Sequence, residues 1–302
     1  MTPPMEPLPS SQTPVRAVLD TDTYNEVDDQ FALAYAALSV GIDLEAVYAA
    51  PFLNERSRDP EDGMEKSFEE ALRVLSRLGS RRAGSLPKVL KGSRRFLPAR
   101  ERPVSSDAAK DLVERAMGLP GPLYVLAIAA VTNVASAVHL EPRILEKIVV
   151  VWLGGQPTGW HTASEFNLKQ DLPAAQVIFD SGVPLVHIPC KNVAEHLRVT
   201  APELRHWLGG RNALCDYLVS ITTDYMDVHA SRSKVIWDIA TVAWLRNPGW
   251  VPSRIVHSPI LTSDLTWSQD TSRHFIREAI DVNRDAILGD LYTLAAGPGV
   301  GS

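Results

Sequence analysis

The chain has 302 residues, 45% of them hydrophobic and 22% charged, with a formal net charge of −6. That is the composition of a globular protein with a sizeable core, and the acidic balance excludes a nucleic-acid surface, which needs clustered Lys and Arg. Cys190 and Cys215 are too few for a disulfide framework, and no stretch approaches the roughly 20 apolar residues of a membrane span.

The Pro-rich opening, residues 1–14, has neither the basic start nor the apolar run of a secretory signal and reads as a disordered tail. Residues 297–302 read as a frayed end. One domain over 15–296 and a cytoplasmic location are the expectation. Val15–Asp20 is short, β-branched and ends in acids, as a buried strand does. A helix follows over Asp28–Ser39, its apolar positions at helical spacing and Gly41 at its stop. Leu44–Ala50 is the second strand. Asp62–Gly63 ends a polar loop, Glu65–Leu78 is an amphipathic helix, and Lys88–Leu90 is a short strand. Basic residues at Arg81–Arg82 and along Lys91–Arg102 read as a solvated loop.

Ser106–Met117 forms a Ser-capped helix. Leu123–Ala129 and Ile148–Leu153 are almost wholly apolar strands, with a helix through Val138 between them. Pro173–Phe179 is helical and Pro184–Ile188 a strand. Helices dominate Ala201–Arg246, with late strands at Ser258–Ser263 and His274–Ala279. Strands that are continuously apolar and alternate with helices predict an α/β fold. It is a single domain with a mostly parallel, doubly wound central sheet flanked by helices. Sites in such folds lie beyond the carboxyl ends of the strands, where Asp20, Asp22, Asn54, Thr132, Asn133, Glu165 and Asn167 fall.

The segment from Asp20 to Asp29 holds five carboxylates: Asp20, Asp22, Glu26, Asp28 and Asp29. Like charges packed in a concave site are costly unless a cation neutralises them. The spacing is not that of an EF-hand loop, and no Cys or His pair stands at zinc spacing. Oxygen-rich ligation points to calcium or magnesium.

At these residues the chain resembles the nucleoside hydrolase family of the inosine–uridine-preferring type. The family opens on D-x-D followed by D-D. Here this reads Asp20-Thr21-Asp22, then Asp28-Asp29, with five residues between the pairs where the family has three. Ala129–Ala135 resembles the family's G-G-L-T-N-I-A turn. Glu165-Phe166-Asn167 and Asp171–Ala175 resemble its E-F-N-x-x-x-D-P-x-A-A stretch. Val235–Asp238 stands where the family has V-H-D. The four motifs run in order from Asp20 to Asp238.

The resemblance implies hydrolysis of the base–ribose bond of a nucleoside and a bound Ca²⁺. Its ligands would be Asp22, Asp29, Asp238 and the carbonyl of Ile128, with Asp20 behind them orienting its neighbours. Asp28 would accept the proton of the attacking water. Asn54, Glu165 and Asn167 would hold the ribose hydroxyls, and the chain would form a homo-oligomer, a dimer or tetramer. One departure is chemical. Many members carry a His before the last metal ligand as general acid, and this chain has Trp237, whose indole N–H cannot protonate a leaving base. Trp237 is then expected to stack on the base as a pocket wall, with Tyr225, His229 and His161 as candidate donors. Two other readings compete. In one, a metal-dependent nucleoside or ribose-binding protein binds without turnover. In the other, a haloacid-dehalogenase-type phosphatase uses Asp20 as nucleophile, though Tyr24 stands where that motif has Thr or Val.

Overall fold

The computed structural model describes residues 14–79 and 85–297. Most of both expected tails and the Arg81–Arg82 pair lie outside these residues. The strands are β1 (Val15–Thr21), β2 (Ile42–Ala49), β3 (Lys88–Lys91), β4 (Leu123–Ala127), β5 (Ile148–Leu153), β6 (Leu185–Ile188), β7 (Arg198–Val199), β8 (Lys234–Val235), β9 (Ser253–His257), β10 (Ile260–Leu261), β11 (Trp267–Ser268) and β12 (Phe275–Ala279). The helices are α1 (Asp29–Leu38), α2 (Pro60–Leu75), α3 (Asp107–Gly118), α4 (Thr132–Leu140), α5 (Phe166–Gln170), α6 (Leu172–Asp180), α7 (Ala201–Trp207), α8 (Ala213–Val228), α9 (Ile239–Arg246) and α10 (Arg284–Ala296).

The central sheet has eight strands in the order β3-β2-β1-β4-β5-β6-β12-β9. All pair in parallel except β9, which runs antiparallel to β12 at the edge. Because side chains alternate across a strand, the continuous apolar runs feed two cores. Leu19 and Leu126 enter one with Phe31 and Trp244; Val18 and Val125 enter the other with Trp152 and Phe179. The expected single α/β domain with a helix-covered, mostly parallel sheet is therefore found. The strand order reverses between β1 and β4, and that crevice at their carboxyl ends is where such folds bind ligands.

Two expectations are corrected. Asp62–Gly63 does not end a loop but lies in the first turns of α2, which starts earlier, at Pro60. Asp59 caps it, its side chain accepting from the Asp62 amide at 2.8 Å, and Pro60 takes the first position. Gly63 is required inside the helix because a Cβ there would lie 2.2 Å from the Phe52 carbonyl oxygen. Of Ser258–Ser263, only Ile260–Leu261 pairs, in a small ribbon with β11. The strand that joins the sheet, β9, lies upstream. None of its residues is fully buried and Ile255 is half exposed, so Ser253–His257 offers no apolar run to recognise. Within the basic segment, Lys91 pairs with Glu65 at 2.5 Å, Arg94 with Glu61 at 3.3 Å, and Arg100 with Asp180.

Candidate active site

A cavity of about 400 Å³ opens at the carboxyl ends of β1, β4 and β5. Two helix N-termini face each other across it. Asp28 is the N-cap residue of α1 and Asp238 that of α9, yet neither side chain caps its own helix. Such carboxylates normally accept from the first-turn amides; here they turn into the cavity. Carboxylate oxygens of Asp28, Asp29 and Asp238 lie within 4.8 Å of one another, all three residues buried. Carboxylates this close repel one another unless a cation or a proton lies between them. The packing of α1 beside α9 thus brings residue 238 to the acidic segment that follows β1.

Asp22 lines the same cavity, and both its carboxylate oxygens are buried without a hydrogen-bond partner. A buried carboxylate left unpaired is costly enough to demand a cation or a proton. Burial, and then the charge of Asp29, holds the Asp22 carboxyl well above the usual carboxylate range. Burial and Asp28 push Asp29 up to about 8, and burial with Asp28 raises Asp238 strongly. The donor set is oxygen throughout, which suits a hard divalent ion.

Asp20 lies behind this set and is absent from the cavity wall. Its Oδ1 accepts from Asn133 Nδ2 at 2.8 Å, and Asn133 Oδ1 accepts from the Ser93 amide at 2.8 Å. Burial lifts Asp20 to about 7, against the pull of that amide. Its backbone carbonyl accepts from the Ile128 amide at 2.8 Å, which ties Ile128, a residue of the cavity wall, to the end of β1. A nucleophile for phosphate could not sit there, so the phosphatase reading finds no support.

The remaining expected residues line the cavity. Glu165 caps α5, accepting from the amides of Gly155 (2.7 Å), Asn167 (3.0 Å) and Leu168 (3.1 Å). Asn167 donates from Nδ2 to the carbonyls of Ile128 (3.2 Å) and Leu153 (3.0 Å), which orients its amide oxygen. Asn54 donates to Asn25 Oδ1 at 2.6 Å and accepts from the Arg56 amide at 2.8 Å. Trp237 is half-buried on the wall, and its backbone amide donates to Asp28 Oδ2 at 3.2 Å. Tyr225, His229 and His161 are not on the wall. The Tyr225 hydroxyl donates to Glu26 Oε1 at 3.1 Å, with His229 packed on its ring, and His161 stacks on Trp160.

Sequence reasoning missed Lys234. Its buried ammonium donates to Glu26 Oε2 at 2.5 Å, to Asp28 Oδ1 at 3.2 Å and to the Val235 carbonyl at 2.9 Å. The five-residue spacer between the acidic pairs supplies Glu26 to this contact. That unusual spacer was the one available signal that a partner was waiting.

Fold and site together define an α/β protein whose sheet ends in a buried, oxygen-lined acidic pocket with an aromatic wall. Residues 17–288 match the family described as inosine-uridine preferring nucleoside hydrolases. The chain belongs to that family. It is 29% identical over 148 residues to probable uridine nucleosidase 2 of Arabidopsis thaliana, covering 48% of this chain and 46% of that protein. Over 94 residues it is 37% identical to the pyrimidine-specific ribonucleoside hydrolase RihB of Escherichia coli O139:H28, covering 30% of each. The matched stretches thus span less than half the length of these curated relatives. The fold is that of a purine-preferring ribonucleoside hydrolase from Gardnerella vaginalis (TM-score 0.77, 20% identity, 93% of this chain and 98% of that one). It is likewise that of the plant nucleoside hydrolase PpNRh1 (TM-score 0.73, 18% identity, 94% and 100%). Among the described residues no helix is long and apolar enough to cross a membrane.

Proposed function

We propose that this chain hydrolyses the N-glycosidic bond of a ribonucleoside, releasing ribose and the free base, with Ca²⁺ as its ion. The observation that carries the reading is the convergence of Asp28, Asp29 and Asp238 beside the unpartnered carboxylate of Asp22. Asp22, Asp29, Asp238 and the Ile128 carbonyl would hold the ion. Bound there, calcium would supply the charge that orients a water and the ribose diol and makes that water more acidic.

The rest falls to the chain's own side chains. Asp28 is held from both sides, Oδ1 by Lys234 and Oδ2 by the Trp237 amide, so its carboxylate stays aimed into the cavity as acceptor of the water's proton. Glu165 and Asn167, each fixed by backbone bonds, present oxygens to ribose hydroxyls, with Asn54 at the rim. A sugar lacking those hydroxyls would leave buried polar groups unpaired, which makes the contacts selective. Trp237 offers a stacking face to the base. A soluble cytoplasmic protein and a dimer or tetramer remain part of this reading.

The test is a nucleoside panel, inosine and uridine included, assayed for reducing sugar with calcium and with chelator. Ribose release that chelation abolishes and Asp28→Ala removes, with calcium binding retained, is the expected result. Release indifferent to both would overturn the mechanism; calorimetric uptake of nucleoside with no sugar released would favour a binding protein.

A further inference from the structure

The wall residue Trp237 stacks but does not carry a proton, and the three other expected donors lie off the cavity. This leaves the departing base without a visible partner. Breaking the C1′–N bond sends its electron pair to the base nitrogen, and some positive group must meet that charge as it develops. Among the described residues, Lys191 is the one cationic side chain on the cavity wall. Its ammonium stands 5.7 Å from the centroid of the Trp237 ring. A base packed against that indole would lie within reach of this ammonium.

Lys191 is also held in place. It follows β6 in a turn closed by backbone bonds from Cys190 to the Gly155 carbonyl (3.0 Å) and from Glu195 to the Cys190 carbonyl (2.9 Å). Its own amide donates to Gln156 Oε1 at 3.1 Å. Asn192, next in the chain, takes a left-handed conformation with φ 62°, and Glu195 receives its amide at 2.5 Å. Glu195 Oε2 pairs with the ammonium at 3.3 Å. A half-exposed lysine tethered at both ends is placed, and what it is placed beside is the aromatic wall.

We infer that Lys191 is the leaving-group residue: its ammonium, set beside Trp237, takes up the negative charge of the departing base through a charge-assisted hydrogen bond. This rests on the hydrolase reading above. Water adds its oxygen to C1′ and gives its proton to Asp28. The base leaves with the bond's electron pair against the Lys191 ammonium and takes its proton from solvent, so Lys191 stays charged throughout.

The experiment compares Lys191→Met and Lys191→Arg on uridine, inosine and p-nitrophenyl β-D-ribofuranoside. Nitrophenolate leaves readily without help, so it reads the water and ribose half of the site alone. Lys191→Met should lose about 100-fold in kcat/KM on the nucleosides, the scale of a positioned charged donor, and no more than a tenth of that on the nitrophenyl riboside. Lys191→Arg should recover most of the difference. Equal losses on all three substrates, or no loss on any, would overturn the inference while leaving the hydrolase reading intact. A wild-type protein that cleaves neither the nucleosides nor the nitrophenyl riboside would overturn both.

Discussion

Lys234 and Asp28 are 206 residues apart in the chain, yet the lysine ammonium lies 3.2 Å from Asp28 Oδ1. Both side chains are almost wholly withdrawn from solvent, at 7% and 4% exposure. The same ammonium binds Glu26 at 2.5 Å, so one lysine neutralises two carboxylates that would otherwise face each other. Burial opposes a charged lysine, but the two acids overcome it, and its proton is held more tightly than in water. Removing one member of a buried pair is worse than never building it, because the survivor stays charged in a poor solvent.

Lys234→Met should therefore destabilise the calcium-free protein by about 3 kcal/mol, the lower end for a broken buried pair. Glu26→Gln, which removes a partly exposed member, should cost roughly 1 kcal/mol. Urea unfolding with chelator present measures both. Calcium should recover part of the Lys234→Met loss by neutralising the acids around Asp28. A Lys234→Met protein as stable as wild type without calcium would show that the pair carries no such burden.

The acidic set also fixes a pH dependence. Asp29 has its folded pKa pushed up to about 8, and Asp22 and Asp238 are also held well above the usual carboxylate range by burial and mutual repulsion. Their unfolded values lie near 3.9. The folded, ion-free protein therefore binds more protons than the unfolded chain across that window, and its stability falls as pH rises through about 8. Calcium reverses the sign of the argument, since it binds the deprotonated carboxylates and must expel their protons. Melting in chelator should drop from pH 5.5 to pH 8, while calcium's stabilising increment grows over the same range. Calorimetry in two buffers of different ionisation enthalpy should show proton release on calcium binding. A calcium increment independent of pH would mean that these carboxyls are not its ligands.

Much of the fold could be read from residues because a parallel sheet writes itself plainly: Ile148–Leu153 is apolar on both faces and was bounded to the residue. The antiparallel edge strand Ser253–His257, with none of its residues fully buried, has no such signature. Asp59 and Pro60 announced the true start of α2, but Gly63 imitated a turn, and only the nearness of Phe52 explains it. At the site, short-range clusters were visible: Asp20 to Asp29, and Glu165 with Asn167. Lys234 and Lys191 were not, because a lysine in a sequence looks like surface. Their meaning comes from elements that meet only in three dimensions, β8 against the loop before α1, and the turn after β6 against Trp237.

The support behind the site can be tested without touching any wall residue. Gly92 follows β3, and a Cβ there would lie 2.1 Å from the Ala49 carbonyl oxygen and 2.4 Å from Asn133 Nδ2. Neither is the far end of a flexible chain: Ala49 belongs to β2, and Asn133 is held between Asp20 and the Ser93 amide. Gly92→Ala must push Asn133 away, taking from the fully buried Asp20 carboxylate the hydrogen bond that Asn133 donates. Overpacking of this kind costs about 1–3 kcal/mol, and the loosened Asp20 no longer steadies Ile128. The variant should unfold at lower urea and bind calcium more weakly, whereas Gly41→Ala, which meets nothing within 4 Å, should leave calcium affinity as it was. Equal calcium affinity in the two variants would show that Asp20 and Asn133 support the fold and not the ion's ligands.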